Sequence, residues 1–291
     1  MLAQTPPNYA AATWRLVHSS PAGGALNMAI DEAIFRANQK TGSPPTLRFY
    51  SWSPPSVSLG YFQAAREEVN VEACRRYSVD IVRRPTGGKA VLHENDLTYA
   101  VIASDHNPLF PRDILGTYKV ISSCIAQGLS ELGIEAEMEG NGRSYQEDSL
   151  KTACFSTPSR YELLAKNKKI CGSAQLRSKG IFLQHGSILV DFDPAKTCDL
   201  LLPEGDRRWQ TAKLRRSVTS IYEQVGAPVH VENICRVMNN GFEKKLNIEL
   251  VEGCLTAYEE SLKLQLMNDK YMTDRWNMEG KVAADGLNNS D

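Results

Sequence analysis

The feature that most constrains the fold is a series of strand-like segments separated by short turns between residues 161 and 192. The segments YELLA, KKICGSA, GIFLQHG and SILVDF are rich in residues that favour strands. Asn167 and the pair Lys179-Gly180 stand between consecutive segments, where tight hairpin turns need residues that tolerate positive φ. Because hairpins join antiparallel strands, the pattern argues against an all-parallel sheet.

Helical patterns flank these strands. Residues 24–38 carry apolar side chains at helical spacing, and residues 113–132 form the clearest apolar stripe, with Gly133 as its stop. Asn70 is expected to cap a short helix, VEACRRYS. Residues 217–272 predict further helices, broken near glycines.

Strands are also predicted for LRFYSW, SVSLGYF, DIVRR, KAVLH, LTYAVIA and IEAEME. The pattern therefore predicts an α/β (α+β) fold with a mixed, largely antiparallel sheet flanked by helices. We expect one domain over residues 1–276, with residues 217–276 as a possible helical subdomain. Residues 277–291 lack an apolar pattern and predict a flexible tail.

Composition excludes several classes of protein. The formal net charge of −1 gives no overall field for nucleic acid or membranes, and no apolar run reaches the ~20 residues of a membrane span. The start of the chain lacks the pattern of a secretory signal. Seven scattered cysteines without CxxC spacing indicate reduced thiols in a cytoplasmic protein and argue against structural zinc.

The segment RRPTGGKAVLHE, residues 83–94, resembles a nucleotide-binding loop only superficially. A P-loop needs glycine where Arg83 stands and Ser or Thr where Ala90 stands, so both positions fail. Gly87 and Gly88 would still let backbone N–H groups approach a ligand closely. The alternative is a tight turn beside a surface arginine pair, and the local pattern does not decide between them.

A nucleophile and a cation can be sought just before and within the hairpin region. Cys154 follows a polar loop and lies off any apolar stripe, so substrate could reach it; the alternative is a small buried side chain. Cys171 lies within a strand pattern and is expected to be packed. Lys169 precedes Gly172 and Ser173, small residues that often mark close approach of a ligand. It could polarise an acyl carbonyl or be an ordinary strand-edge lysine.

Two histidines lie inside strand patterns. His93 and His185 could each act as a base, an orienting group or a buried hydrogen-bonding residue. The pattern leaves all three roles open.

Several motifs occur together and in one order. RRPTGGKAVLHENDLTYAVI, KKICGSAQLR and LQHGSILVD resemble the family of lipoate-protein ligases, biotin-protein ligases and octanoyl (lipoyl) transferases, and NMAIDEAI and RFYSWSPPSVSLGYFQ resemble it too. The resemblance extends from about Trp14 to Asp191 and more loosely to Trp276. Within the family, ACFSTPSRYELL is similar to the segment that holds the nucleophile in the cysteine octanoyltransferases of Gram-positive bacteria.

The resemblance implies roles for particular residues. Cys154 would be the nucleophile and Lys169 the family's lysine. The pocket for the acyl group would be formed by Arg83, Arg84, Thr86, Gly87, Gly88, His93, Gly172, Ser173 and His185. One departure is that lipoate ligases carry a third glycine where this chain has Lys89.

The implied reaction moves an octanoyl group from octanoyl-acyl carrier protein to Cys154 and then to a lysine of a lipoyl domain, such as glycine cleavage H protein. It needs neither cofactor nor metal, and we expect a monomer. Surface cations such as Arg75, Arg76 or Lys179 could contact the acidic carrier. The main alternative is an ATP-dependent lipoate-protein ligase; a non-catalytic lipoyl-binding module and a cysteine hydrolase are two others.

Overall fold

The computed structural model describes residues 12–138, 162–201 and 205–280. Within these ranges the strands are β1 Ala12–His18, β2 Thr46–Tyr50, β3 Ser56–Leu59, β4 Asp80–Arg83, β5 Val91–His93, β6 Asp96–Ser104, β7 Ala136–Met138, β8 Leu163–Ala165, β9 Lys168–Ser178, β10 Ile181–Leu189 and β11 Ile248–Glu252. The helices are α1 Gly24–Thr41, α2 Ala65–Glu68, α3 Val71–Arg76, α4 Ile114–Ser130, α5 Pro194–Leu201, α6 Arg207–Ser217, α7 Ile221–Val225, α8 Val231–Leu246, α9 Ala257–Leu266 and α10 Asp274–Asn277, with a π-helical turn at Met267–Tyr271.

The described strands form two sheets. Eight of them make a main sheet in the order β11-β1-β2-β6-β10-β9-β8-β7, and β4-β3-β5 make a smaller one. From β2 to β7 every neighbouring pair of the main sheet is antiparallel, whereas β11, β1 and β2 run parallel. The predicted mixed, largely antiparallel sheet flanked by helices is confirmed.

The hairpin turns and helix caps lie where their residues predict. Lys166-Asn167 and Lys179-Gly180 have positive φ and join β8 to β9 and β9 to β10. The Asn70 side chain accepts from the N–H of Ala73 at the start of α3, as expected of an N-cap.

Two predictions of local structure are wrong. GIFLQHG and SILVDF are one continuous strand, β10, in which Gly186 allows close packing rather than a break. A Cβ there would lie 2.6 Å from the carbonyl oxygen of Gly172. The stretch 217–272 is not wholly helical, because Ile248–Glu252 is a strand that pairs in parallel with β1.

The main sheet is covered on both faces. Tyr99 and Val101 of β6 face a core shared with α4 and α8, and the alternate residues Ala100 and Ile102 face a core built on α1. The cavity described below lies on the α1 side of β9 and β10, where the small sheet approaches the main one.

The packed region continues slightly past the predicted domain boundary at residue 276. The buried Asn277 side chain accepts from the N–H of Arg83 and donates to the carbonyl of Tyr271. Residues 281–291 lie outside the described part of the chain. Across the described helices, none combines the length and the hydropathy that crossing a bilayer requires.

Candidate functional site

A cavity of about 170 Å³ lies between the two sheets. Its wall combines bulky side chains such as Tyr50, Trp52 and Val91 with the small residues of β9 and β10. Among the residues predicted for the site, those in the wall are Arg84, Gly88, His93, Lys169, Gly172, Ser173 and His185. An apolar space with a few placed polar groups suits a ligand that is an acyl chain with one reactive end.

Arg84 holds the glycine loop in its shape. Its Nη2 donates to the carbonyl oxygens of Gly87 at 2.9 Å and Lys89 at 2.7 Å, and its Nη1 donates to that of Ser58 at 2.9 Å. Gly88 lies at φ +92°, a conformation that side chains rarely adopt. The loop is therefore a backbone turn fastened by Arg84.

Arg83 has a different task. Its buried guanidinium donates to five backbone carbonyl oxygens, those of Gly60, Tyr61, Gln63, Trp276 and Asn277. These bonds join the segment after β3 to the C-terminal helix α10. Arg83 therefore stabilises the packing of the C-terminal helix, whereas its neighbour Arg84 stabilises the glycine loop.

Gly60 and Gly87 offer a matched test of the loop. A Cβ on Gly60 would lie 1.8 Å from the carbonyl oxygen of Gly88, whereas a Cβ on Gly87 would meet nothing within 4 Å. We expect Gly60→Ala to lower the midpoint of thermal unfolding and abolish activity, because backbone must move. Gly87→Ala is expected to fold like the parent. Equal unfolding midpoints for the two variants, measured by calorimetry, would contradict this packing.

His93 and His185 each contact a hydroxyl group with one ring nitrogen and a carboxylate with the other. His185 Nε2 lies 2.7 Å from Thr86 Oγ1, and its Nδ1 lies 3.1 Å from Asp31 Oδ2. His93 Nε2 lies 2.8 Å from Ser58 Oγ, and its Nδ1 lies 2.8 Å from Asp96 Oδ2. Contacts at both ring nitrogens therefore fix the orientation of each imidazole.

The carboxylates that the two histidines contact, Asp31 and Asp96, are not predicted from the sequence. Asp31 is buried in α1 and accepts from Arg48 Nη1 at 2.6 Å and from the Tyr50 hydroxyl at 2.8 Å. Asp96 is buried at the start of β6 and accepts from the Ser187 hydroxyl at 2.5 Å. A charged residue among the apolar positions of NMAIDEAI was the available signal for Asp31.

Burial and pairing set the charge states around His185. Burial would raise the pKa of Asp31, but Arg48 and the hydrogen bonds from His185 and Tyr50 hold it below the ordinary 3.8. Burial lowers the pKa of His185 below the ordinary 6.5, and Asp31 only partly opposes this. The imidazole is therefore neutral and Asp31 ionised at neutral pH.

We expect stability to fall as the pH is lowered through the range below 6.5. The unfolded chain binds a proton at His185 near pH 6.5 and the folded chain only at lower pH, so stability associated with neutral His185 is complete above 6.5 and declines below it. Asp31, with its lowered pKa, adds a loss as the pH falls below 3.8. Urea unfolding at pH 7.5 and 5.5 measures the first effect. We expect His185→Gln to reduce the difference in unfolding free energy between the two pH values, whereas His106→Gln, at an exposed histidine, should leave that difference unchanged. The same difference in His185→Gln as in the parent would contradict the assignment.

Lys169 and Glu162 form a buried ion pair at the cavity. Lys169 Nζ donates to Glu162 Oε1 at 2.5 Å, and the residues are 2% and 3% exposed. The Lys169 side chain lies across Gly172, where a Cβ would come within 2.8 Å of its Cε and 2.9 Å of its Nζ. Glycine at this position leaves the room that the ammonium group needs. A buried ammonium in a cavity wall can stabilise negative charge on a bound carbonyl oxygen or thiolate.

The cysteines predicted as nucleophile and as packed residue are Cys154 and Cys171, respectively. Cys154 lies outside the described residues. Cys171 is fully buried in β9, and burial raises the pKa of its thiol to about 12. A thiol of that kind is inert near neutral pH, as expected for a packed residue.

This chain belongs to the lipoyl protein ligase A/B catalytic-domain family, whose profile matches residues 24–243. Its curated relatives include proteins named "Octanoyltransferase LipM". The one from Clostridioides difficile is 40% identical over 267 residues, 91% of this chain and 98% of the relative. The one from Bacillus subtilis is 40% identical over 271 residues, with the same coverage.

Solved structures show the same fold. A crystal structure titled lipoate-protein ligase A bound with ATP has a TM-score of 0.77 at 30% identity and covers 92% of this chain and all of that one. A Thermoplasma acidophilum structure, titled a bi-partite lipoate protein ligase and its E2 lipoyl domain, has a TM-score of 0.79 at 28% identity. It covers 94% of this chain and all of that one.

Proposed function

We propose that the protein is an octanoyltransferase that moves an octanoyl group from octanoyl-acyl carrier protein to a lysine of a lipoyl domain. The observation that carries the assignment is its likeness to octanoyltransferases, about 40% identity over 91% of the chain. The geometry supports it, because the cavity is suited to an acyl chain and has a buried ammonium in its wall.

The chemistry proceeds in two steps. The Cys154 thiolate attacks the carbonyl carbon of the octanoyl thioester and forms an acyl-enzyme thioester. The bond from that carbon to the carrier's sulfur breaks, and the sulfur leaves as a thiolate that takes up a proton from solvent. The uncharged amine of the acceptor lysine then attacks that carbonyl, loses a proton and forms an amide. The Cys154 sulfur leaves as the thiolate.

The side chains around the cavity have distinct proposed roles. Lys169 stabilises the thiolate of Cys154 and the oxyanion of each tetrahedral intermediate. His93 and His185, held on both ring nitrogens, shape the wall rather than carry protons.

A lipoate-protein ligase is the second candidate, because a ligase A bound with ATP shares the fold. Lys89 argues against it, since the residue lies in the cavity wall where lipoate ligases carry a glycine. The two functions differ in what activates the acyl group. A transferase receives a thioester, whereas a ligase must activate a free acid with ATP.

The test supplies an apo lipoyl domain with either octanoyl-acyl carrier protein alone or octanoate, ATP and Mg²⁺. Acylation is followed by intact mass. We expect the lipoyl domain to gain an octanoyl group from the carrier without ATP. Acylation only from octanoate and ATP would reject the transferase and support the ligase.

A further inference from the structure

Helix α6 concentrates positive charge in a chain that is otherwise balanced. Its sequence, RRWQTAKLRRS, contains five cations and no acidic residue, in a protein of 33 basic and 34 acidic residues. Two arginine pairs eight residues apart, Arg207-Arg208 and Arg215-Arg216, lie along one shallow groove that Thr211 and Ala212 complete. This face of α6 is called the arginine face below.

Three of the four arginines of this face are not neutralised by the part of the chain that the structure describes, whereas Arg207 lies 3.7 Å from the Asp199 carboxylate. Arg208, Arg215 and Arg216 are exposed and have no carboxylate within ion-pair distance among the described residues. Lys213 and Arg216 are three residues apart on the helix, a spacing at which like charges repel each other. Such a cluster is most stable when an anionic partner covers it.

The opposite face of α6 packs beside the cavity. Leu214 of α6 and Val218, which follows the helix, are buried in one cluster with Leu189, and Val91 of the cavity wall packs against that cluster. The chain leaving α6 is bonded to the site itself, since the N–H of Thr219 donates to the carbonyl of Lys169 at 2.9 Å. Helix α6 therefore lies between the arginine face and the wall of the cavity.

We infer that the arginine face is the docking surface for the acyl donor, an acidic carrier protein that presents its thioester on a flexible phosphopantetheine arm. This inference rests on the proposed function. Charge complementarity favours an acidic protein surface, and Trp209, 51% exposed on the same helix, supplies the aromatic side chain typical of protein interfaces. Because the segment after α6 is bonded to Lys169, a carrier docked on this helix can deliver its arm to the cavity.

The other cations considered for this contact are less well placed. Lys179 lies in the turn at the far end of β9, about 33 Å along the strand from Lys169. Arg75 and Arg76 end α3, which packs against α5 rather than against the cavity. Among these described cations, those of the arginine face combine charge and exposure with a helix whose following segment is bonded through Thr219 to the Lys169 backbone.

The test is the triple variant Arg208→Glu, Arg215→Glu and Arg216→Glu of the full chain. With octanoyl-acyl carrier protein we expect KM to rise about tenfold or more at 50 mM salt with kcat nearly unchanged, and the salt dependence of kcat/KM to weaken. With octanoyl-pantetheine, an uncharged donor without the carrier, the variant should match the parent. The control Lys40→Glu, Lys119→Glu and Lys245→Glu makes the same charge change on α1, α4 and α8 and should keep the parental KM.

An unchanged KM for octanoyl-acyl carrier protein in the α6 variant would overturn the inference. Equal losses with both donors would also overturn it, because they indicate a damaged site. The parent is also tested for binding to anionic phospholipid vesicles and to a DNA duplex. If the α6 substitutions abolish such binding and leave the KM for the carrier unchanged, the arginine face belongs to that other partner. Failure of the parent itself to use the carrier would instead reject the proposed function.

Discussion

Lys169→Met is expected to reduce acyl transfer on the order of 10²–10³-fold, the effect of removing one donor that stabilises an oxyanion. The variant removes the ammonium group at the cavity and keeps a side chain of similar length. It also leaves the buried Glu162 carboxylate without its cation. Breaking a buried pair in this way costs about 3–5 kcal/mol of stability. Turnover with octanoyl-acyl carrier protein and urea unfolding measure the two effects separately.

Two companion variants separate chemistry from stability. Lys168→Met removes the neighbouring lysine, whose partner Glu223 has a side chain that is 49% exposed. An exposed pair contributes about 0–1 kcal/mol, so this control should keep both stability and activity. Lys169→Met combined with Glu162→Gln removes both charges and should recover stability but not turnover. Parental turnover in any folded protein that lacks Lys169 would exclude this residue from the reaction.

Cys154→Ala is expected to abolish transfer, with the loss entirely in kcat, because no acyl-enzyme can form. Cys254→Ala is the matched control, since Cys254 is the cysteine with an exposed side chain among those described. Cys154→Ser should also fail, because a serine hydroxyl is rarely ionised at neutral pH. Steady-state rates of octanoyl transfer to the lipoyl domain distinguish these variants. Measurable transfer by Cys154→Ala above the uncatalysed rate would contradict covalent catalysis by this residue.

Local signals explain why the hairpins were predictable and two strands of the main sheet were not. Asn167 and Gly180 mark turns between segments adjacent in sequence, so both partners of each hairpin are visible together. β1 and β11 pair across more than 230 residues. β11 is short and exposed at the sheet edge, and nothing in its own five residues identifies a distant partner.

The site was predictable where residues act through a motif and unpredictable where they act through burial. Lys169, Gly172 and His185 occur in recognisable segments and meet at one cavity. Asp31 and Asp96 come from elements distant in sequence, and a carboxylate is ordinarily expected in solvent. Arg83 and Arg84 are adjacent in sequence, yet one fastens the C-terminal helix and the other the glycine loop. Only three-dimensional packing distinguishes their tasks.

The central claim is that octanoyl transfer passes through a thioester on Cys154. Its most direct test is to incubate the protein with octanoyl-acyl carrier protein in the absence of ATP and lipoyl domain, then to measure intact mass and map the modified peptide. The account predicts one octanoyl adduct on Cys154, absent from Cys154→Ala and discharged when apo lipoyl domain is added. An adduct on another residue, or no adduct while the lipoyl domain is still acylated from the carrier, would contradict it.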